Sequence, residues 1–314
     1  MKIVFFGTPL FAAKILEYLV DKSINIVAVV TRPDKPKGRG LLLVPPPVKE
    51  VATKLLPSIP IYQPIKASDP DFAQQLKIHQ ADFFIVAAFG QILRQNILDI
   101  PLKGCVNVHA SLLPKYRGAA PIQKAIIEGE EESGVTIMKM SLGMDEGDIL
   151  HQVRVSIPFD MDAGALQDVL CEVGCHALLD TLQAFKEGHV SALPQEHSAA
   201  TYAPKIELVD CEIDFSKEAI DLHNLIRGCT PVPGSWVKIF VKGQAKKLKV
   251  IRAKPLVCSF KEIPGSILQF GKKGWIVACG KSALQLIDIQ LEGKKAMSAE
   301  DFANGYSIQD ISFF

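Results

Sequence analysis

Apolar residues recur along this chain with two periods, and the switch between them lays out its elements. Residues 2–6 read as a short buried strand, residues 9–20 set their apolar positions at helical spacing, and residues 25–30 return to a strand. Strand, helix, strand is the opening of an open parallel α/β sheet, in which ligands gather at the carboxyl ends of the strands. Helices are expected at 48–55, which prolines open, and at 71–79, begun by Asp69-Pro70. Residues 82–88 are continuously apolar, as a strand covered on both faces requires. Alternation at 105–109 and again at 134–141 adds two strands, and 163–186 reads as a long helix that closes a first domain. Residues 189–204 mix Ser, Ala, Pro and isolated charges without a period, the mark of a linker. A helix at 217–226 then precedes five short β runs at 236–241, 248–253, 266–270, 275–278 and 284–291, the format of a small barrel. The expected fold is therefore α/β: a Rossmann-like open parallel sheet domain at 1–188, a linker at 189–205 and a smaller OB-like β-barrel domain at 206–314.

One stretch fits no period. Residues 31–47 carry Arg32, Lys35, Lys37 and Arg39 among glycine and proline breaks, then Leu41-Leu42-Leu43-Val44 and three consecutive prolines, so they are expected to project as a long loop. At 314 residues with 48% hydrophobic and 22% charged, the chain can bury two cores and is not disordered. It has no run of eighteen apolar residues and no signal-peptide core near Met1, so no membrane partner is expected. Seven cysteines, odd in number and without a Cys-x-x-Cys pair, fit reduced thiols and a cytoplasmic location. Seven scattered histidines give no metal-ligand spacing.

The net charge of +1 hides an asymmetry, because residues 227–295 hold fourteen Lys and Arg against three Asp and Glu, a local +11. A concentrated positive face is a footprint for phosphate, although lysines on outward strand faces also keep sheet surfaces from aggregating. Lys246-Lys247, Lys272-Lys273 and Lys294-Lys295 come as adjacent pairs. If they sit on strands, only one of each pair can face a given side.

Residues 104–148 hold the block that carries chemistry. Side chains two apart on a strand share a face, so Asn107 and His109 point the same way. Ser111-Leu112-Leu113-Pro114 follows at once, and proline restricts itself and its predecessor, so the chain must turn out of the sheet. The 134–141 run then delivers Gly143-Met144-Asp145-Glu146-Gly147-Asp148, a glycine-bracketed loop with Asp145 thirty-six residues beyond His109. An amide, an imidazole and a carboxylate suit attack of an amine on a carbonyl-type carbon. The first two steady the oxygen that gains charge, while the carboxylate sets the state of the imidazole and helps move protons. The same three residue types also serve as a turn cap, a satisfied core histidine and a plain loop aspartate, and spacing alone does not choose between these.

Read as a block, the residues say more. Asn107-x-His109, the Ser111-Leu112-Leu113-Pro114 turn, Arg117-Gly118-Ala119-Ala120-Pro121-Ile122-Gln123, Gly134-Val135-Thr136-Ile137-Met138 and Asp145-x-Gly147-Asp148 together resemble the folate-dependent formyltransferases. Phe6-Gly7-Thr8-Pro9, Pro33-Asp34-Lys35-Pro36 and Gly293-Lys294-Lys295-Ala296-Met297-Ser298 extend the likeness to both ends, and the 117–123 run is similar to the branch that acts on aminoacyl-tRNA. The resemblance implies 10-formyltetrahydrofolate as co-substrate without a metal, initiator methionyl-tRNA as acceptor, and a monomeric enzyme with Asn107, His109 and Asp145 as its catalytic residues. It further implies folate contacts at Phe89, Gly90, Ile92 and Leu93 and along Ser111, Leu112, Leu113 and Pro114. For tRNA it implies Arg39 in the 31–47 loop; the basic stretch adds Lys246, Lys247, Lys294 and Lys295. Family members often carry lysines just after Arg-Gly in that loop, where this chain has Leu41 and Leu42. A formyltransferase acting on a small amine such as an amino sugar, and a non-catalytic RNA-binding module, stay open beside this reading. A nicotinamide enzyme is disfavoured because the Gly7-Thr8-Pro9 turn lacks G-x-G-x-x-G.

Overall fold

Every residue of the Ile3–Gly7 and Phe83–Ala87 strands is buried, so the sheet they share must be covered on both faces. The computed structural model describes residues 1–37 and 42–313. One of its two seven-stranded sheets runs in the order Ile149–Ser156, Glu132–Lys139, Cys105–His109, Phe83–Ala87, Ile3–Gly7, Ile26–Val30, Ile61–Tyr62. The last five strands pair in parallel, whereas Glu132–Lys139 runs antiparallel to Cys105–His109. The expected parallel sheet is thus parallel-dominated and mixed at one end. Helix Leu10–Asp21 buries Phe11, Ala12, Ile15, Leu16 and Leu19, positions that share one helical face. Gly7 permits the close approach, since a Cβ there would lie 2.5 Å from that of Ala12. Pro47 opens the next helix at its first position, and Asp69 caps Pro70–Lys77 by accepting from Asp71 N at 2.9 Å.

The 31–47 stretch is more ordered than expected. Lys35–Lys37 and Leu42–Val44 pair antiparallel, with Lys35 opposite Val44 and Lys37 opposite Leu42. Strands of three residues are too short to show alternation among prolines and lysines, which is why the sequence reads as loop. At the base of this hairpin the Asp34 carboxylate accepts from Lys49 Nζ at 2.8 and 2.9 Å and from Gln63 Nε2 at 2.7 Å. Leu42 and Leu43 are exposed. Arg39 and Leu41 lie outside the described residues.

The chain divides into two units that do not follow sequence order. One comprises Met1–Pro121, Glu132–Val155 and Gln167–Pro204; the other takes Ile122–Glu131, Ser156–Leu166 and Lys205–Phe314. The second is built on an antiparallel sheet ordered Ile267–Gly271, Gly274–Ala278, Ala283–Leu291, Gln244–Leu256, Ser235–Val241, Ile311–Phe313, a nearly closed barrel of the expected OB-like kind. Trp275, Ile239, Leu248, Val250, Ile289 and Phe302 fill its core. Its helix Ala219–Cys229 meets the two earlier segments: Gly228 has room for no Cβ beside Ile127, and Arg227 Nη1 donates to Met161 O at 3.0 Å. His223 stacks on Phe159 with ring centroids 4.7 Å apart. Ile127 also packs against Cys211, Cys229 and Trp236.

Candidate active site

The strand Cys105–His109 is buried throughout and ends at the carboxyl edge of the sheet. Asn107 lies opposite Met138 and His109 opposite Thr136 on the antiparallel neighbour, while Val86 flanks Asn107 on the parallel one. Asn107 and His109 are 9% and 5% exposed, so neither is a surface group free to rotate in solvent. Cys105 on the same strand is a packed residue: burial pushes its thiol up to about 12.

Beyond His109 the chain turns as the proline requires, and side-chain hydrogen bonds hold the turn shut. Thr136 Oγ1 donates to Ser111 O at 2.6 Å and accepts from Leu113 N at 3.1 Å. Ser111 Oγ donates to Lys115 O at 2.6 Å, and Gln152 Nε2 donates to Leu113 O at 2.8 Å. Tyr116, at a positive φ of 61°, aims its carbonyl back at His109 Nε2, 2.9 Å away. That bond places a proton on Nε2 and orients the ring, which leaves Nδ1 facing Asp145 Oδ2 at 3.6 Å, an ion-pair distance rather than a hydrogen bond. A ring protonated on both nitrogens has an acceptor on each side.

Asp145 sits at a φ of 51°, uncommon for a residue with a side chain. Its Oδ2 accepts from Gly118 N at 2.8 Å. Gly147, two residues on, presses against Lys139 O so closely that a Cβ has no place. Of the expected trio, His109 and Asp145 are brought to 3.6 Å, and Asn107 stands two residues before His109 on the same strand face. The arrangement offers an amide donor and an imidazole beside a carboxylate in a largely dry setting, where electrostatic effects are stronger than in water.

The residues expected to meet folate divide in two. Phe89 and Leu93 are core residues, Phe89 edge-on to Phe6 with centroids 5.4 Å apart. Gly90, at a φ of 79°, and Ile92 are exposed. Ser111 and Leu113 are buried, while Leu112 and Pro114 are half-buried.

Of the basic pairs, only Lys246 and Lys247 lie on a strand. Lys272-Lys273 and Lys294-Lys295 fall outside the strands, in the stretches that follow Gly271 and Leu291, so the alternation argument does not apply to them. Lys246 has the parity of the core residues Leu248 and Val250 and is half-buried; Lys247 is exposed opposite Lys238, its Nζ 4.1 Å from the Trp236 ring centre. Lys249, opposite Trp236, completes this outer face. Lys238 and Lys249 were not singled out by sequence, although strand alternation around Trp236 carries the signal.

Two further groups escaped sequence reading. Residues 189–205, expected as a linker, carry anchored points: Tyr202–Ala203 pairs in parallel with Arg117–Gly118, and Thr201 Oγ1 accepts from Tyr116 N at 2.9 Å. Gln195 is 5% exposed and reaches the Asp145 loop. Among the described residues no cluster of His, Cys, Asp and Glu has metal-binding geometry, and no helix is long and apolar enough to cross a membrane.

A strand-borne amide and imidazole with a carboxylate delivered by a neighbouring loop, on a parallel-dominated sheet followed by an antiparallel barrel, define a class. Family models agree: residues 1–182 match the formyl transferase family and residues 205–307 the formyl transferase C-terminal domain, and the chain belongs to that family. More particularly, it is 47% identical over 313 residues to the methionyl-tRNA formyltransferase of Protochlamydia amoebophila, covering 100% of this chain and 98% of the relative. The methionyl-tRNA formyltransferase of Chlamydia pneumoniae is 43% identical, covering 99% of this chain and 97% of the relative. Among solved structures, HypX from Aquifex aeolicus with tetrahydrofolic acid superposes with a TM-score of 0.65 at 16% identity, over 96% of this chain and 46% of that one. The sugar 3N-formyl transferase WlaRD, crystallised with dTDP and 5-N-formyl-THF, gives 0.64 at 20% identity, over 94% and 99%. At such identities the likeness shows the fold.

Proposed function

We propose that the chain transfers the formyl group of 10-formyltetrahydrofolate to the α-amine of initiator methionyl-tRNA, as a monomeric cytoplasmic enzyme. The observation that carries this reading is identity of 43–47% to methionyl-tRNA formyltransferases over 99–100% of the chain, the basic second unit included. The amine lone pair attacks the formyl carbon and the C=O π pair moves onto oxygen; when that pair returns to re-form C=O, the bond to the folate nitrogen breaks with its electrons on that nitrogen, which gains a proton as the amine gives one up. Asn107 donates to the oxygen that gains charge, and a doubly protonated His109, its N–H groups directed at Tyr116 O and Asp145, stabilises that charge electrostatically. Asp145 faces His109 Nδ1, compensates its positive charge and helps carry away the proton of the amine.

Gly90, Ile92, Leu112 and Pro114, the exposed or half-buried members of the expected set, offer folate its contact surface, with Phe89, Leu93, Ser111 and Leu113 forming the layer behind. For tRNA, support comes from the outer face of the barrel. Lys238 directly opposite Lys247 is a like-charge pair that costs stability in the free protein, and a phosphate relieves it. Lys294 and Lys295 add to that field, whereas Lys246, at core parity, is the silent member of its pair; Arg39, which the resemblance implies for tRNA, lies outside the described residues. Transfer of labelled formyl from 10-formyltetrahydrofolate to methionyl-tRNA, with free methionine and an amino sugar as controls, tests the proposal. Transfer to methionyl-tRNA alone is expected; label on the sugar and none on the tRNA overturns it.

A further inference from the structure

Gln195 uses its whole hydrogen-bonding capacity inside the first unit. Its Oε1 accepts from Arg117 Nε at 3.2 Å and from Arg117 Nη2 at 2.8 Å, and its Nε2 donates to Asp145 O at 2.8 Å and to Gly147 O at 2.7 Å. A carboxamide has two lone pairs and two N–H groups, so nothing is left over. Both Gln195 and Arg117 are buried, at 5% and 3% exposure. The backbone is brought there by a two-bond bridge between Leu193 and Ile149, at 2.8 and 2.9 Å. Asp145 is therefore held at both ends by one dipeptide: its carboxylate by Gly118 N, its carbonyl by Arg117 through Gln195. A backbone at positive φ persists only where its surroundings over-determine it, and the Gln195 amide supplies that determination at the Asp145 carbonyl.

We infer that Gln195 is a positioning residue, which sets the Asp145 loop on Arg117 and thereby fixes the distance from the Asp145 carboxylate to His109. The inference rests on the proposed formyl transfer. Gln195 never touches the reacting atoms; it acts through Asp145. A misplacement of about 1 Å remote from the chemistry costs on the order of 10²-fold in rate.

The test is a double-mutant cycle on full-length protein, read as single-turnover formyl transfer with KM for both substrates. Gln195→Met keeps the length of the side chain and removes its four bonds; Gln195→Glu keeps the acceptor for Arg117 and removes the donors to Asp145 and Gly147. Each is expected to lower the transfer rate about 10–100-fold, with both KM values within about twofold of wild type. In the Asp145→Asn background the same changes are expected to cost less than about threefold, because the group being positioned is already disabled. Should Gln195→Met not fold, Gln195→Glu carries the cycle alone. Additive losses, a rise in KM in place of a fall in rate, or a wild-type rate in Gln195→Glu overturn the inference while wild-type transfer stands. No transfer by wild type to any amine sinks the reading and the inference together.

Discussion

The candidate active site and the basic face of the barrel use polar residues in opposite ways. Around His109 polar groups are held by named partners: Tyr116 O on the ring, Gly118 N on Asp145, Thr136 and Gln152 on the turn that follows. On the barrel, Lys238 and Lys247 stand side by side and exposed, with the Trp236 ring under one of them. The difference follows from what each region must recognise. Charge that develops on one atom during a reaction is stabilised by dipoles already in place. A polyanion is held by charges that displace its counterions and need no single geometry.

The comparison is sharpest where one fixed group is removed. Asn107→Ala and His109→Ala are each expected to lower single-turnover formyl transfer by about 10²–10³-fold with tRNA affinity near normal. Rapid-quench kinetics beside a binding isotherm check this; an unchanged rate for His109→Ala removes the site from the mechanism. Next comes the loop. Gly147→Ala forces a methyl against Lys139 O and is expected to shift Asp145 and lower the rate about 10–100-fold, again leaving tRNA affinity alone. Steady-state kinetics with a thermal melt separate a moved loop from a misfolded protein.

On the barrel the expected effects are smaller and of another kind. Lys247→Gln is expected to lower the slope of log affinity against log salt by about one and to weaken different tRNAs alike, whereas Lys246→Gln, at core parity, leaves the slope unchanged. Affinities over a salt series decide it, and equal slopes for wild type and Lys247→Gln make that face a solubility feature. The smallest effect concerns Asp34. Its hydrogen bonds to Lys49 and Gln63 hold its carboxyl below the usual range, so the stability it contributes is present above its unfolded pKa of about 3.9 and lost as pH falls through its lower folded value. The gap in melting temperature between wild type and Asp34→Asn is expected at neutral pH and closes in acid.

How much of this could be read from the sequence depended on distance along the chain. The period of two in residues 105–109 is local, and it was enough to place Asn107 and His109 on one face. Bringing Asp145 to them requires the Glu132–Lys139 strand to return antiparallel, which alternation does not specify; the family resemblance supplied it. Gln195 was invisible because its role lies in contacts 48–78 residues away, in a stretch with no period. The pairing of Lys35–Lys37 with Leu42–Val44 was missed for shortness. Alternation distinguishes Lys246 from Lys247 but not the members of the other two pairs, which lie outside strands with both lysines exposed.

Membership of Ile122–Glu131 and Ser156–Leu166 in the second unit has a consequence for biosynthesis. Ile127 and Phe159 leave the ribosome well before Cys211, His223 and Trp236, against which they pack. At about 5–20 residues per second, the nascent chain waits on the order of ten seconds before those partners exist. During that interval these two earlier segments cannot reach their final burial.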